Sequence, residues 1–496
     1  MEILGYILIG AYSLALGYIT VYCLLQLNLL YYYKKYHRSP QPLAEWEALD
    51  NIPFVTVQLP IYNEMYVVPR LIDCIVELEY PREKLEIQIL DDSTDETVNI
   101  AKEKVEEYIA KGFDIVHVHR KDRQGYKAGA LKEATVKAKG EFIAIFDADF
   151  LPRKNFLMRT IPQFKNNKVG VVQTRWEHIN EDYSVLTKLQ ALQLNVHFRI
   201  EQIGRKGANC MLQFNGTAGV WRKRTILDAG GWEADTLTED LDLSYRAQLK
   251  GWEIIYLEDL SSPAELPAEM NGLKSQQYRW MKGGAETARK MLPTVWNSNL
   301  SLFQKIHATG HLLSSGVFVF IFMAGVFSVP LVFLINMYGM EYGYMGYFLI
   351  GLVSVVAVYF VANVESEHKY PSPSNNETYF RRFVKFIILF PIFLSLSMGL
   401  SLHNTVAVIQ GYIGKQSPFV RTPKFNIRSI KDSFKNQKYF DGKLSWTTIF
   451  EGLMAIYFLG GLLMGIYLET TLFIVFHGML MVGFGTIFYF SLRHIR

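Results

Sequence analysis

The chain has 496 residues, half of them hydrophobic and 14% aromatic, with 51 Lys and Arg against 47 Asp and Glu and a net charge of +4. A single core stops growing at roughly 250–300 residues, so this length calls for more than one unit. The small net charge offers no clustered basic face for nucleic acid, and three scattered cysteines, Cys23, Cys74 and Cys210, have no metal-ligand spacing and suit a reducing compartment.

Apolar residues gather in the first thirty-odd positions and in the last third, leaving a mixed stretch at about 50–300. Residues 3–33 are long enough to span a bilayer, which takes about 20 apolar residues. They lack a basic leader and a cleavage site, so a retained helix is expected, not a signal peptide. Lys34, Lys35, His37 and Arg38 follow at once and place the next domain on the cytosolic side.

Within the mixed stretch, 54–59, 85–90, 114–119 and 142–146 are predicted as strands, and 66–79, 95–111 and 127–138 as helices. This alternation predicts an α/β domain with a mostly parallel sheet, whose ligand site lies beyond the carboxyl ends of the strands. Further apolar runs lie at about 309–337, 343–363, 384–411, 446–468 and 470–491. If all five crossed, the basic loop 415–444 would lie outside, against the positive-inside rule. The conflict disappears if 384–411 lies at the cytosolic interface, which leaves five spans plus interfacial helices.

Four short motifs carry chemistry. Asp147-Ala148-Asp149 follows a buried strand, and two such carboxylates bind a divalent cation and through it a sugar diphosphate. Asp91-Asp92 ends another strand and can accept hydrogen bonds from a base or ribose; Ser93 or Thr94 is equally placed to cap the next helix. Thr238-Glu239-Asp240 offers Asp240 as the base that deprotonates an acceptor hydroxyl, with Glu239 beside it, although Thr238 could merely cap a helix. Gln276-Gln277-Tyr278-Arg279-Trp280 supplies an Arg for a diphosphate and an indole for a sugar ring, on what could equally be a membrane-surface helix.

In this order the four motifs resemble the processive family 2 glycosyltransferases: cellulose, hyaluronan and chitin synthases and the cellulose-synthase-like proteins. Val57 to Glu64 (VQLPIYNE), Gly125 to Leu131 (GYKAGAL) and Phe214 to Trp221 (FNGTAGVW) are similar to the cellulose-synthase-like A and C groups, over roughly 50–290. The resemblance implies a GT-A-type, Rossmann-like cytosolic domain at 36–300, inserted between a transmembrane helix at 1–35 and a membrane region at 301–496. It implies Tyr62, Glu64 and Asp91 or Asp92 at the nucleotide, Lys127 at the nucleotide or diphosphate, and Asp147 and Asp149 at the diphosphate and a Mn²⁺ or Mg²⁺ ion. Gln276, Arg279 and Trp280 would hold diphosphate and acceptor sugar, with Asn215, Gly216 and Thr217 at the acceptor end. Phe419-Val420-Arg421-Thr422-Pro423-Lys424 resembles a gating loop, with Phe419, Thr422 and Lys424 matching and Arg421 departing. Tyr278 also departs, standing where plant members have His.

The expected activity is inverting, processive synthesis of a β-glycan, β-1,4 by resemblance, from UDP-glucose in preference to GDP-mannose, with export across the membrane. The growing glycan and the lipid bilayer are the expected partners. The membrane would be the plasma membrane in a bacterium and the Golgi in a eukaryote. With the sequence ending at Arg496, no cyclic-dinucleotide sensor is expected. The rival reading is a non-processive transferase making a glycolipid. A transporter would carry more polar residues in its spans than His311, and a dinucleotide reductase would show Gly-x-Gly-x-x-Gly after its first strand.

Overall fold

The computed structural model describes residues 2–38, 51–366, 378–429, 431–433 and 445–493; Lys435, Lys438 and Lys443 of the basic loop, with His494 and Arg496, lie outside them. Helix α1 (Glu2–Arg38) precedes an alternating run: β1 (Val55–Ile61), α2 (Val68–Val76), β2 (Leu85–Asp91), α3 (Thr97–Ala110), β3 (Ile115–His119), α4 (Tyr126–Lys137) and β4 (Phe142–Ile145). Each matches its predicted element to within three residues at either end. The domain continues through α5 (Phe156–Thr160), β5 (Val169–His178), α6 (Val185–Val196), α7 (Gln202–Gly207), β6 (Gly219–Arg222), α8 (Lys223–Asp228), α9 (Glu239–Leu249) and β7 (Glu253–Ala264). A π-helical turn at His197–Glu201 joins α6 to α7.

The seven strands form one sheet in the order β3-β2-β1-β4-β6-β5-β7. Only β6 runs antiparallel, between β4 and β5. Because β1, β2 and β4 are parallel neighbours, their carboxyl ends deliver Tyr62, Asp91-Asp92 and Asp147 to one edge. The buried strands still carry polar side chains, and these pair across the sheet: Thr56 with Glu86 at 2.7 Å and Gln58 with Gln88 at 3.0 Å. Two apolar layers cover the faces, one around Leu71, Ile72 and Phe156, the other around Leu131, Trp221 and Trp232. The capping readings at two motifs are corrected. Neither Ser93 nor Thr94 caps α3; Asp95 accepts from the Thr97 N–H instead. Thr238 is the N-cap residue of α9, but its hydroxyl bonds Thr287 and not the helix amides.

The remaining helices are α10 (Met270–Asn297), α11 (Leu302–Leu312), α12 (Val317–Tyr338), α13 (Leu349–Phe360), α14 (Tyr379–Gly399), α15 (Ser401–Tyr412), α16 (Trp446–Tyr467) and α17 (Thr471–Arg493). Six stretches of the described chain, within α1, α12, α13, α14, α16 and α17 and their short extensions, are long and apolar enough to cross a membrane. Both the end of α1 and the π-turn after α13 touch the α/β domain, through His37 and Glu258 at 3.2 Å and Asn363 and Asn195 at 3.0 Å. The start of α16 and the end of α17 meet α10, where Lys274 lies 2.8 Å from Glu451 and 3.5 Å from Ser491.

The segment 384–411, expected at the cytosolic interface, is two helices, α14 and α15, joined through the single right-handed residue Leu400. Its outer ends meet Glu181, through Lys385 at 3.9 Å, and α10, where Lys282 donates to the Lys415 carbonyl at 2.5 Å. α15 lies along α10, with Tyr278 donating to Gln410 at 2.6 Å, and the bend at Leu400 packs on α17. A Cβ on Gly483, near the middle of α17, would collide with the Ser395 carbonyl, so the two backbones meet only because that position is glycine. Phe386, Phe390, Phe393 and Leu396 bury against Ile487, which accounts for an apolarity too high for an interfacial helix. The basic loop therefore returns to the catalytic domain, as charge alone requires.

This arrangement predicts the outcome of side-specific cysteine labelling in a background lacking Cys23, Cys74 and Cys210. Gln416→Cys, in the loop, should react from the same side as Lys102→Cys in the catalytic domain. Tyr347→Cys, ahead of α13, should react only from the other side.

Candidate active site

The acidic motifs converge on one cavity of about 460 Å³. Tyr62, Glu64, Asp92, Lys127, Asp147 and Asp149 line it at the sheet edge; Glu239, Asp240, Gln276, Arg279 and Trp280 line it from α9 and α10. Asn215 and Gly216 close one wall, and Phe419, Thr422 and Lys424 cover another. Beyond Trp280 the cavity reaches Tyr22 of α1, Phe318 of α12 and Tyr359 of α13, so it passes from the sheet into the apolar helices.

So many carboxylates in a buried space repel one another and resist ionising. Burial raises Glu64 to about 8, against the pull of Arg421. Burial, then the adjacent Glu239 carboxylate, raises Asp240 to about 7. Glu239 itself is raised by burial, with Lys127 opposing. Cations answer each acid. Lys127 donates to Asp147 at 2.5 Å and to the Gly216 carbonyl at 2.9 Å. Lys424 donates to Asp149 at 2.7 Å, and Arg421 sits 3.2 Å from Glu64. Arg279 donates to the Val420 carbonyl and the Thr422 hydroxyl, both at 2.9 Å. Burial lowers its pKa to about 10, and Asp147 and Glu239 keep it from falling further.

Phe419, Thr422 and Lys424 all line the cavity, and Arg421, the departure from the motif, adds an ion pair with Glu64. Phe419 lies beneath two guanidinium groups, 4.7 Å from Arg279 and 5.7 Å from Arg123, and Arg123 in turn covers Tyr62 at 3.3 Å.

Two expected contacts are corrected. Asp91 is fully buried and lies outside the cavity lining. It accepts from the Ser93 N–H and bonds His117, each at 2.8 Å, and these bonds lower its pKa although burial works the other way. Asp92 is the member of the pair that lines the cavity, held by Arg120 through two 2.7 Å bonds. Thr217 is likewise buried and outside the lining; its hydroxyl accepts from the Asp147 N–H at 2.8 Å. It positions the metal-motif aspartate from behind. Gly216 has φ +77°, and a Cβ there would lie 3.1 Å from the Asp240 carboxylate, so glycine is needed for both reasons.

Three participants were missed in the sequence. Arg123 lies in a short polar loop with no periodicity to mark it. Glu265 follows the end of β7, the same strand-then-acid signal as Asp147; its carboxylate accepts from the Phe425 N–H at 2.9 Å. Arg70, on α2, bridges Glu265 at 3.5 Å and Asn426 at 2.5 Å.

Asp147 and Asp149 fit a divalent cation. They are hard oxygen donors facing one cavity, with room for phosphate oxygens to complete the shell. The ammonium groups of Lys127 and Lys424 meet the same carboxylates, so Lys424 would have to withdraw for a cation to take both. The three-acid cluster Glu233, Asp235 and Asp242 lies apart from these residues and is bridged by Lys290 at 2.6–3.1 Å. Thr217→Val should cost about 1–3 kcal/mol of stability by leaving the Asp147 N–H unpaired. Thermal unfolding should register that loss while the KM for acceptor stays unchanged, the reverse of what an acceptor contact would give.

Residues 53–283 match a family model described as glycosyltransferase like family 2. A probable glucomannan 4-beta-mannosyltransferase 7 of Oryza sativa subsp. japonica is 42% identical over 276 residues, covering 54% of this chain and 47% of the relative. Glucomannan 4-beta-mannosyltransferase 7 of Arabidopsis thaliana is 39% identical over 288 residues, covering 55% and 52%. The chain spans about half the length of the curated relatives it matches. Among solved structures, mannosyltransferase PcManGT from Pyrobaculum calidifontis, in complex with GDP-Man and Mn²⁺, superposes with a TM-score of 0.53 at 17% identity, over 82% of this chain and all of that one. That likeness is one of fold. Sheet order and acidic strand ends agree with the family match: residues 53–283 are similar to the family 2 glycosyltransferases and have a GT-A-type α/β fold, set among apolar helices.

Proposed function

We propose that the chain is a membrane-embedded, inverting glycosyltransferase that extends a β-1,4-linked mannan or glucomannan processively from GDP-mannose on the cytosolic side. The single observation that carries this is the continuity of the cavity. One space holds Asp147 and Asp149, the raised Asp240 carboxylate and the way into α1, α12 and α13. A polymer can lengthen at one end of such a space while its older units pass along the other.

The preference for UDP-glucose finds no support among the relatives. Those compared are named for transfer of mannose, so GDP-mannose becomes the first donor to test. The catalytic domain is assigned to the cytosol on the basic residues that follow α1, and the multi-pass layout on the six apolar helices. A eukaryotic chain of this kind belongs in the Golgi, a bacterial one in the plasma membrane.

The proposed reaction is one displacement. Asp240 takes the proton from the acceptor hydroxyl, the oxygen attacks the anomeric carbon, and the nucleoside diphosphate departs from the opposite face. Lys127 and Arg279 stand ready to neutralise charge on the departing diphosphate, and Arg279 is free to do so once it releases Val420 and Thr422. Asp147 and Asp149 would hold Mn²⁺ or Mg²⁺, which when bound adds further positive charge at the diphosphate. No covalent intermediate forms on the protein. Asp92 and Tyr62 frame the nucleotide end and Trp280 the acceptor sugar.

The test is product analysis of purified protein with Mn²⁺, offering GDP-mannose and UDP-glucose separately. A long polymer, cleaved by a linkage-specific mannanase and made from GDP-mannose, is expected; a short glycolipid that never lengthens would overturn processivity. Asp240→Asn should lower the rate about 10²–10⁴-fold, the usual contribution of a general base. Asp240 acts when deprotonated, so kcat/KM should rise with pH through about 7 and level above it. A flat profile from pH 6 to about 8 would remove Asp240 from that role.

A further inference from the structure

Past Asn215 the cavity lining passes to the apolar helices, and charged side chains stand among it. The π-helical turn projects His197 and Glu201, four residues apart, to the same side. His197 bridges the carboxylate of Glu201 at 3.0 Å and the Asn215 amide at 2.8 Å, so the group adjoins the Gly216 wall beside Asp240. Arg205 reaches Glu201 at 3.4 Å with one nitrogen; its other, Nη1, has no hydrogen-bond partner among the described residues, although the side chain is only 5% exposed. The Ser315 hydroxyl, also in the cavity lining, is equally buried and equally unpartnered. Burial works to raise Glu201, but Arg205 and His197 outweigh it and hold the carboxylate ionised, near 2.

Buried donors without partners are costly, and a ligand that satisfies them removes the cost. A carboxylate beside a guanidinium is neutral as a pair, which disfavours a phosphate and favours a neutral polyol. The carboxylate accepts from two vicinal hydroxyls, the free Nη1 donates to a third oxygen, and Tyr22, Phe318 and Tyr359 offer ring faces to a pyranose in the same stretch.

We infer that Glu201, Arg205 and Ser315 form a carbohydrate subsite that grips the sugar units behind the acceptor terminus, so that the enzyme uses longer acceptors better than short ones. This rests on the polymerase reading above. The role is acceptor binding at a distance from the reacting atoms, and it explains why a charged group would persist at the mouth of an apolar path.

The experiment compares a methyl β-mannoside, which fills only the terminal position, with a β-1,4-mannotetraose, using GDP-mannose and the full chain in detergent. The wild type should show a lower KM for the tetraose. In Glu201→Gln that KM should rise about tenfold, the worth of one hydrogen bond to a charged group, while the KM for the monosaccharide moves less than about twofold. GDP binding, read separately, reports that the fold is intact. If Glu201→Gln does not fold, Ser315→Ala should give the same length-selective loss at about threefold. Variants that keep the wild-type preference for the tetraose, or that lose kcat equally on both acceptors, overturn the subsite and leave the polymerase reading standing. A wild type with no preference for length overturns both.

Discussion

The structure depends on one electrostatic constraint: eight carboxylates, Glu64, Asp92, Asp147, Asp149, Glu201, Glu239, Asp240 and Glu265, share the walls of a single buried space. Parallel strands put several of them there, since acids at the ends of β1 and β4 must emerge side by side. Ionised together without cations they would repel across a medium that screens poorly. Lys127 and Arg279 come from the catalytic domain and its α10. Arg120, Arg205 and Arg70 pair with Asp92, Glu201 and Glu265, and Lys424 and Arg421 from the distal loop pair with Asp149 and Glu64. Burial raises Glu64 and Asp240, and that cost grows as pH climbs through their shifted values, about 8 and about 7.

That need reaches into the membrane part. A loop that supplies cations to a domain must lie on the domain's side, so the helices before it cannot deliver it elsewhere. α14 packs along α17, with Gly399 and Gly483 allowing the bend at Leu400 to sit against it, and α15 then runs beside α10 toward the loop. Lys274 and Glu451, both nearly inaccessible to solvent, tie α10 to α16 at the same level. A buried pair of this kind contributes little net stability but is costly to break on one side, which favours a single docking of helix on helix. Arg279 and Trp280, which line the cavity, lie on the same α10, so the placement of the spans and of this cavity wall are one problem.

Where the distal loop now sits, its cations occupy the partners that substrates would use. Lys424 takes Asp149, and Thr422 with Val420 takes Arg279. Phe419 is fixed by guanidinium groups from two elements far apart in sequence. Each contact is exchangeable: a divalent ion can replace an ammonium group at a carboxylate, and a diphosphate can replace a carbonyl at a guanidinium. The same carboxylate cluster that attracts the loop can thus release it when other charges arrive.

Much of this was legible in the order of residues. Strand and helix periodicity from 54 to 146 located every element there, because the alternation of apolar side chains is a local property. Strand-end acids marked the cavity for the same reason: parallel topology makes their meeting a consequence of connectivity. Charge counts placed the basic loop with the catalytic domain, since positive charge and bilayer sidedness are linked without reference to fold. What the order of residues left open was decided by contacts across long separations. Asp91 and Asp92 are indistinguishable as neighbours, yet only packing turns one toward His117 in the core and the other toward the cavity. Thr217 reads as an acceptor contact beside Gly216, until the sheet shows its hydroxyl behind Asp147. The segment 384–411 has the composition of one continuous apolar run. Hydropathy cannot show that it bends at Leu400, because the bend is seated by a glycine contact with α17, more than eighty residues away along the chain.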